Sequence, residues 1–243
     1  MTGIKAVLFD CDGTLVDSEY AHYMSFKTVF QELGHHLDLE DYLLYIGRSD
    51  KITAQLLVNT FGLRQDDFDL VFQKKRGNYF ERCQMGIPPI EPTVNLLKYL
   101  AQEKTQLGIQ LGVCSAARKV EVITHLHHLG VMDVLDVVLS GEEDLKGYDD
   151  PEGVNKPKPY IYLEAAKQLG ICPEECIVIE DSIPGVQAGV AAGCLTIALP
   201  NEFTKQHDLS CAHLQLVYQD LKNFNDFFAL VHSSWKIMKS AHP

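Results

Sequence analysis

A chain of 243 residues with 46% hydrophobic side chains is long enough to bury a sizeable core, as one large domain or as one domain with an insert. Its 33 acidic against 21 basic residues leave a formal net charge of −12, and no block of Lys and Arg makes the basic stripe that nucleic-acid binding needs. No apolar stretch approaches membrane-spanning length, so neither nucleic acid nor membrane is an expected partner.

The opening Met1 to Lys5 runs directly into an apolar strand pattern, with no apolar signal core and small-residue cleavage site, which predicts a cytoplasmic protein. The seven cysteines are odd in number, irregularly spaced and without a Cys-x-x-Cys pair, and are expected as buried free thiols of a reducing compartment. The first strand, Ala6-Val7-Leu8-Phe9, ends at Asp10. Residues 18–90 then read as helices, over Tyr20 to Leu33, Asp50 to Phe61 and Asp66 to Cys83, with Pro88-Pro89 before Glu91-Pro92 as a hinge or return linker. A helix opened by Pro92 runs through Leu96, Leu97 and Leu100.

Four more apolar runs follow. Leu111 to Cys114 ends at Ser115, and Val137 to Leu139 comes next. Ile177 to Ile179 ends at Glu180-Asp181, and Leu195 to Leu199 is the last. Between them lie helices over Lys119 to Leu129, stopped by Gly130, and Pro159 to Leu169, stopped by Gly170. The polar Gly147 to Pro157 stretch reads as a loop, the acidic 142–152 stretch as a disordered surface segment, and the segment around Trp235 receives no assignment. The runs are continuous rather than alternating, so both faces of their sheet should be covered. Strands alternating with helices predict an α/β, doubly wound parallel-sheet core over 1–17 and 91–243, with a small helical unit at 18–90 inserted after the first strand. In such sheets ligands gather at the carboxyl ends of the strands, where the polar residues just named stand.

Asp10-Cys11-Asp12-Gly13-Thr14 places two carboxylates two residues apart after a buried strand, an arrangement that favours a cation. Alone, the pattern is also compatible with a calcium loop, although the remaining EF-hand ligands are missing, or with a simple strand-ending turn. Ser115, Lys156 in Asn155-Lys156-Pro157-Lys158-Pro159, and Glu180-Asp181 add a hydroxyl, a cation and further hard oxygen ligands in order along the chain. Phosphoryl transfer needs these types. A carboxylate nucleophile splits one hard step into two. A divalent ion offsets the charge of the phosphomonoester, a Lys and a hydroxyl hold the phosphoryl oxygens, and a second acid protonates the leaving alkoxide.

These four ordered motifs resemble those of the haloacid dehalogenase-like hydrolase superfamily, and Ile179-Glu180-Asp181-Ser182 through Gly185, Gly189 and Gly193 matches especially closely. The resemblance runs from residue 6 to about 200 and points to the β-phosphoglucomutase-like and sugar-phosphate phosphatase branch, in which the helical insert is a cap. It implies Mg2+ as cofactor. Asp10 would be nucleophile and metal ligand, and Asp12 general acid/base and ligand through its backbone carbonyl. Ser115, Ala116 and Lys156 would bind the phosphoryl group, and Asp181 with Glu180 would complete the metal site. Cap residues His22, Arg48 and Lys75 are the candidates for selecting the leaving group, with a solvated helix face as the alternative for Lys75 in Lys74-Lys75-Arg76. Arg118 is placed to approach a second phosphate. The expected reaction is hydrolysis of a small phosphomonoester, above all a sugar phosphate, by a monomer. The alternatives are a phosphosugar mutase and a phospho-accepting regulator without turnover. The Gly185, Gly189 and Gly193 spacing does not fit a dinucleotide fingerprint.

Overall fold

The computed structural model describes residues 3–46 and 49–241. The chain divides into two compact units, Met1–Val16 with Pro89–Pro243, and Asp17–Pro88. β1 (Ala6–Phe9) opens the first unit, and the chain leaves it after Val16.

The Asp17–Pro88 unit is helical, with α1 (Glu19–Glu32), α2 (Leu39–Leu43), α3 (Asp50–Thr60) and α4 (Asp67–Met85). The short α2 has too few residues to show a period in the sequence. Ser49 starts α3 by accepting the Ile52 N–H on its hydroxyl at 3.4 Å. Tyr23, Phe26, Val29 and Phe30 line one side of α1 at helical spacing and form a core with Leu37, Tyr42, Leu57, Val58 and Val71. Burying Phe26 or Phe30 fully contributes about 1.5–3 kcal/mol each.

The chain resumes with α5 (Glu91–Leu107) and then β2 (Gln110–Ser115), α6 (Lys119–Leu129), β3 (Val137–Ser140), α7 (Tyr160–Leu169), β4 (Cys176–Glu180), α8 (Ile183–Ala191), β5 (Leu195–Ala198), β6 (Leu214–Gln215) and α9 (Phe224–Ala241). Gly108, Gly130 and Gly170 end α5, α6 and α7 in the left-handed conformation, and the last two are the stops expected from the sequence. The strands form one sheet in the order β3-β2-β1-β4-β5-β6, with every neighbouring pair parallel. β1 is central, and the order reverses beside it. Its Ala6 and Leu8 join a core with Ile161, Tyr162 and Ala165 of α7, while Val7 and Phe9 on the opposite face are equally buried. Coverage on both faces is why these strands read as unbroken apolar runs.

Two sequence expectations change, and one segment without an assignment gains a structure. The 142–157 segment is a loop, but its acidic part is tied down rather than disordered. Leu145 is buried in the core, Asp144 accepts from Lys119 Nζ and Ser140 N at 2.6 and 2.7 Å, and Glu143 accepts from Lys119 N at 2.8 Å. The segment around Trp235 is the helix α9, which buries Phe227 and Val231 and donates from Trp235 Nε1 to the Glu174 carbonyl at 3.3 Å. Of the seven free cysteines, Cys172 and Cys211 are exposed, because both lie in connecting segments and not on strands.

Candidate active site

β1, β2 and β4 lie side by side, so their carboxyl ends bring Asp10, Ser115 and Glu180 to one edge of the sheet. Asp10 follows β1 directly, and its N–H donates to the Ile179 carbonyl at 3.0 Å, which extends the pairing with β4 to the first site residue. Among the described residues, Asp10, Glu180 and Asp181 form a buried carboxylate group whose ligand oxygens lie within 4.8 Å of one another.

Lys156 reaches two of these carboxylates. Its ammonium donates to Asp10 Oδ1 at 2.6 Å, Glu180 Oε1 at 2.7 Å and the Cys114 carbonyl at 2.8 Å, and sits 5.2 Å from the Tyr162 ring centroid. Burial pulls an ammonium towards its neutral form, but Asp10 and Glu180 more than offset this and hold Lys156 above the usual lysine range. Asp10 moves the other way from an ordinary carboxylate. Burial first and the Glu180 charge second push it up to about 8, against the opposing pull of Lys156. One buried ammonium therefore leaves the carboxylates undercompensated. Cys114 is pushed up to about 12 by burial, which keeps the thiol beside Ser115 unreactive.

Glu180 is saturated by the protein. Oε1 accepts from Lys156 and from the Tyr162 hydroxyl at 2.8 Å, and Oε2 accepts from Asp181 N, Ser182 N and Ser182 Oγ at 3.2, 3.4 and 3.1 Å. A Cβ on Gly185 would come within 1.8 Å of Glu180 Oε1, so the glycine makes room for the carboxylate under the start of α8. Asp181 is held on both oxygens, with Thr14 Oγ1 donating to Oδ1 at 3.2 Å and Asn201 Nδ2 to Oδ2 at 2.9 Å. Gly13, at φ +79°, passes so close that a Cβ would lie 2.4 Å from Asp181 Oδ2, and the loop tolerates no side chain there.

Asp12 stands two residues after Asp10, and its charge adds to the upward push on the Asp10 carboxyl. Asp12 Oδ2 accepts from Ser115 Oγ at 3.2 Å, and Ser115 Oγ in turn accepts the Ala117 N–H at 3.1 Å. Ala116 follows Ser115 on the exposed side, with its carbonyl held by Asn155 Nδ2 at 3.0 Å. The Arg118 guanidinium pairs with Glu121 in the first turn of α6, so its charge is already matched within its own helix.

In the Asp17–Pro88 unit, His22 and Lys75 meet although 53 residues apart in the chain. Lys75 is fully buried and pairs with Asp50, and it donates to His22 Nδ1 at 2.6 Å. His22 stacks on Tyr79 at 3.8 Å between centroids. The solvated-face alternative holds for Lys74, which pairs with Glu32 at the surface, and not for its neighbour. Arg48 lies outside the described residues.

Sequence reasoning passed over Tyr162, Asn201 and Asp50. Tyr162 looks like a core position of α7, and Asp50 like an ordinary helix start. Asn201 follows β5 within Leu199-Pro200-Asn201, and its place after a strand was the one available signal.

The model of the haloacid dehalogenase-like hydrolase family matches residues 4–193. Hexitol phosphatase A of Escherichia coli (strain K12) is 30% identical over 196 residues, which cover 80% of this chain and 82% of that protein. A family hydrolase from Deinococcus radiodurans R1, solved with bound phosphate and sodium, superposes with a TM-score of 0.70 at 26% identity, covering 97% of this chain and 98% of that one. The β-phosphoglucomutase of Clostridium difficile shares the fold, with a TM-score of 0.72 at 22% identity and coverage of 96% and 97%. With the strand-end carboxylates and Lys156 in place, the chain belongs to the haloacid dehalogenase-like hydrolase family, and it is an enzyme of that family.

Proposed function

We propose that this enzyme is a magnesium-dependent phosphatase that hydrolyses small phosphomonoesters, above all sugar phosphates, through an aspartyl phosphate on Asp10. The observation that carries the reading is the Asp10 carboxylate, held at a strand end by Lys156 at 2.6 Å within a buried acidic group, with Asp12 two residues on and hydrogen-bonded to Ser115. Asp10 attacks phosphorus and the bond to the leaving oxygen breaks, while Asp12 gives that oxygen its proton. Water then attacks the aspartyl phosphate, Asp12 takes the proton back, and phosphate leaves with Asp10 restored. Lys156, the Ser115 hydroxyl and the Ala116 N–H hold the phosphoryl oxygens, where transition-state charge is spread.

The all-oxygen donor set and the charge left uncompensated around Asp10 suit a hard divalent ion. Asp10, Asp181 and the Asp12 carbonyl would hold Mg2+, and Glu180, its oxygens already engaged, would act through water. When bound, the ion relieves the repulsion between the phosphate dianion and the attacking carboxylate. We read the Asp17–Pro88 unit as the cap that the resemblance implies for residues 18–90. In this reading His22, and Arg48 as expected from the sequence, select the leaving group, while the fully buried Lys75 acts through its bonds to Asp50 and His22. The presence of a hexitol phosphatase among the relatives supports a sugar phosphate. We read the protein as a cytoplasmic monomer acting on a metabolite; among the described residues no helix is long and apolar enough to cross a membrane.

The test is phosphate release over a panel of sugar phosphates and nucleotides, with Mg2+ and with chelator. Release from a few sugar phosphates, lost on chelation, is the expected result. The His22–Lys75 pair also suits a phosphosugar mutase. Isomer conversion dependent on a sugar bisphosphate, without net phosphate release, would replace the phosphatase reading by that one. Asp12→Asn is expected to slow breakdown of the aspartyl phosphate by about 100- to 10,000-fold, so that acid-quenched enzyme retains label from a 32P substrate. Normal turnover without retained label would remove Asp12 from the acid/base role.

A further inference from the structure

We propose that Asn201 is a positioning residue that locks the Asp181 carboxylate to the Asp10–Thr14 loop and so sets the affinity of the site for a divalent cation. The inference rests on reading the acidic group as a cation site. Asn201 Nδ2 makes two hydrogen bonds, one to the Gly13 carbonyl at 3.0 Å and one to Asp181 Oδ2 at 2.9 Å. The amide cannot swing away. Its Oδ1 accepts from Phe203 N at 2.8 Å and Thr204 N at 3.1 Å, and Asn201 N donates to Thr204 Oγ1 at 3.0 Å. With two backbone donors on one end of the amide and two acceptors on the other, only this orientation satisfies all four contacts.

The arrangement joins three strand ends. Gly13 belongs to the loop after β1, Asp181 follows β4 and Asn201 follows β5, so one amide ties 188 residues of separation in the chain to a single contact. Thr14 Oγ1 holds the other Asp181 oxygen at 3.2 Å, and donors on both oxygens fix the plane of the carboxylate. Each bond leaves a lone pair on its oxygen for a metal, so the clamp orients the ligand without consuming it. Partners of this kind tune metal affinity by about 10- to 100-fold.

Asn201→Ser separates the two roles of the side chain without adding charge. Its hydroxyl can accept from the 203–204 backbone in place of the amide oxygen, and the Nδ2 donor is gone. Calorimetric titration of metal-free protein with Mg2+ is expected to give a dissociation constant raised about 10- to 100-fold in Asn201→Ser and in Asn201→Ala. The Mg2+ concentration for half-maximal activity is expected to rise in parallel. Wild-type affinity in Asn201→Ser, with loss only in Asn201→Ala, would mean that the 201–204 turn matters and the donor does not, and would overturn the proposal. Unchanged affinity in both variants would overturn it too. Absence of Mg2+ binding by the wild-type protein would instead overturn the cation reading on which it rests.

Discussion

Asp10→Asn is expected to lower phosphate release by on the order of 10,000-fold or more, with far-UV circular dichroism unchanged. The amide matches the carboxylate in shape, so the site keeps its packing, but its oxygen is too weak a nucleophile to form the phosphoenzyme. Retained turnover in a folded variant would sink the assignment. The same variant carries a pH signature in chelator. The wild-type carboxyl sits near 8 in the folded protein against an ordinary value near 3.8, raised first by burial and then by Glu180. A group raised on folding contributes stability that is fully present below its ordinary value and is lost as pH rises through the folded one. Metal-free wild-type protein should therefore lose melting temperature between about pH 4 and pH 8, and Asp10→Asn should flatten that decline. Equal slopes for the two proteins would show that Asp10 is not the group responsible.

Lys156→Met is expected to be the most destabilising single change at the site. Lys156 faces two buried carboxylates at 2.6 and 2.7 Å with a side chain 5% exposed, and its removal leaves both without their counter-charge. Breaking a buried pair in this way costs about 3–5 kcal/mol. For a chain of this size that corresponds to a drop of about 6–20 °C in melting temperature. The pairing, and not the volume of the lysine, is the cause if Lys156→Met combined with Glu180→Gln loses less than the sum of the two single variants. Strict additivity would place the loss in packing. Phosphate release should fall by at least about 100-fold at a temperature where the variant is folded, because the cation that holds the phosphoryl oxygens is gone.

The contrast between Lys74 and Lys75 shows where reading a sequence stops. Both stand in one charged run on α4, yet a single residue step turns the side chain by about 100° around the helix. Lys74 meets Glu32 at the surface, and Lys75 enters the core against Asp50 and His22. Spacing within the run does not say which position faces inward, because α4 is amphipathic only weakly and its partner on α1 lies far away in the chain. Tyr162 is a similar case. Its ring packs as a core residue should, and only the fold reveals that its hydroxyl reaches Glu180.

The sequence by itself determined the parallel sheet, the helix stops and the order of the polar strand ends, since each rests on local chemistry. Unbroken apolar runs need two covered faces, glycines past the last apolar turn end helices, and the residue after a buried strand must be polar to meet solvent or ligand. The tertiary structure alone decided which of those polar groups touch. Lys156 bonds to Asp10 across 146 residues, and Asn201 bonds to Gly13 across 188. Such contacts follow from the order in which strands lie side by side. That order is set by the packing of the whole sheet, which no local stretch encodes.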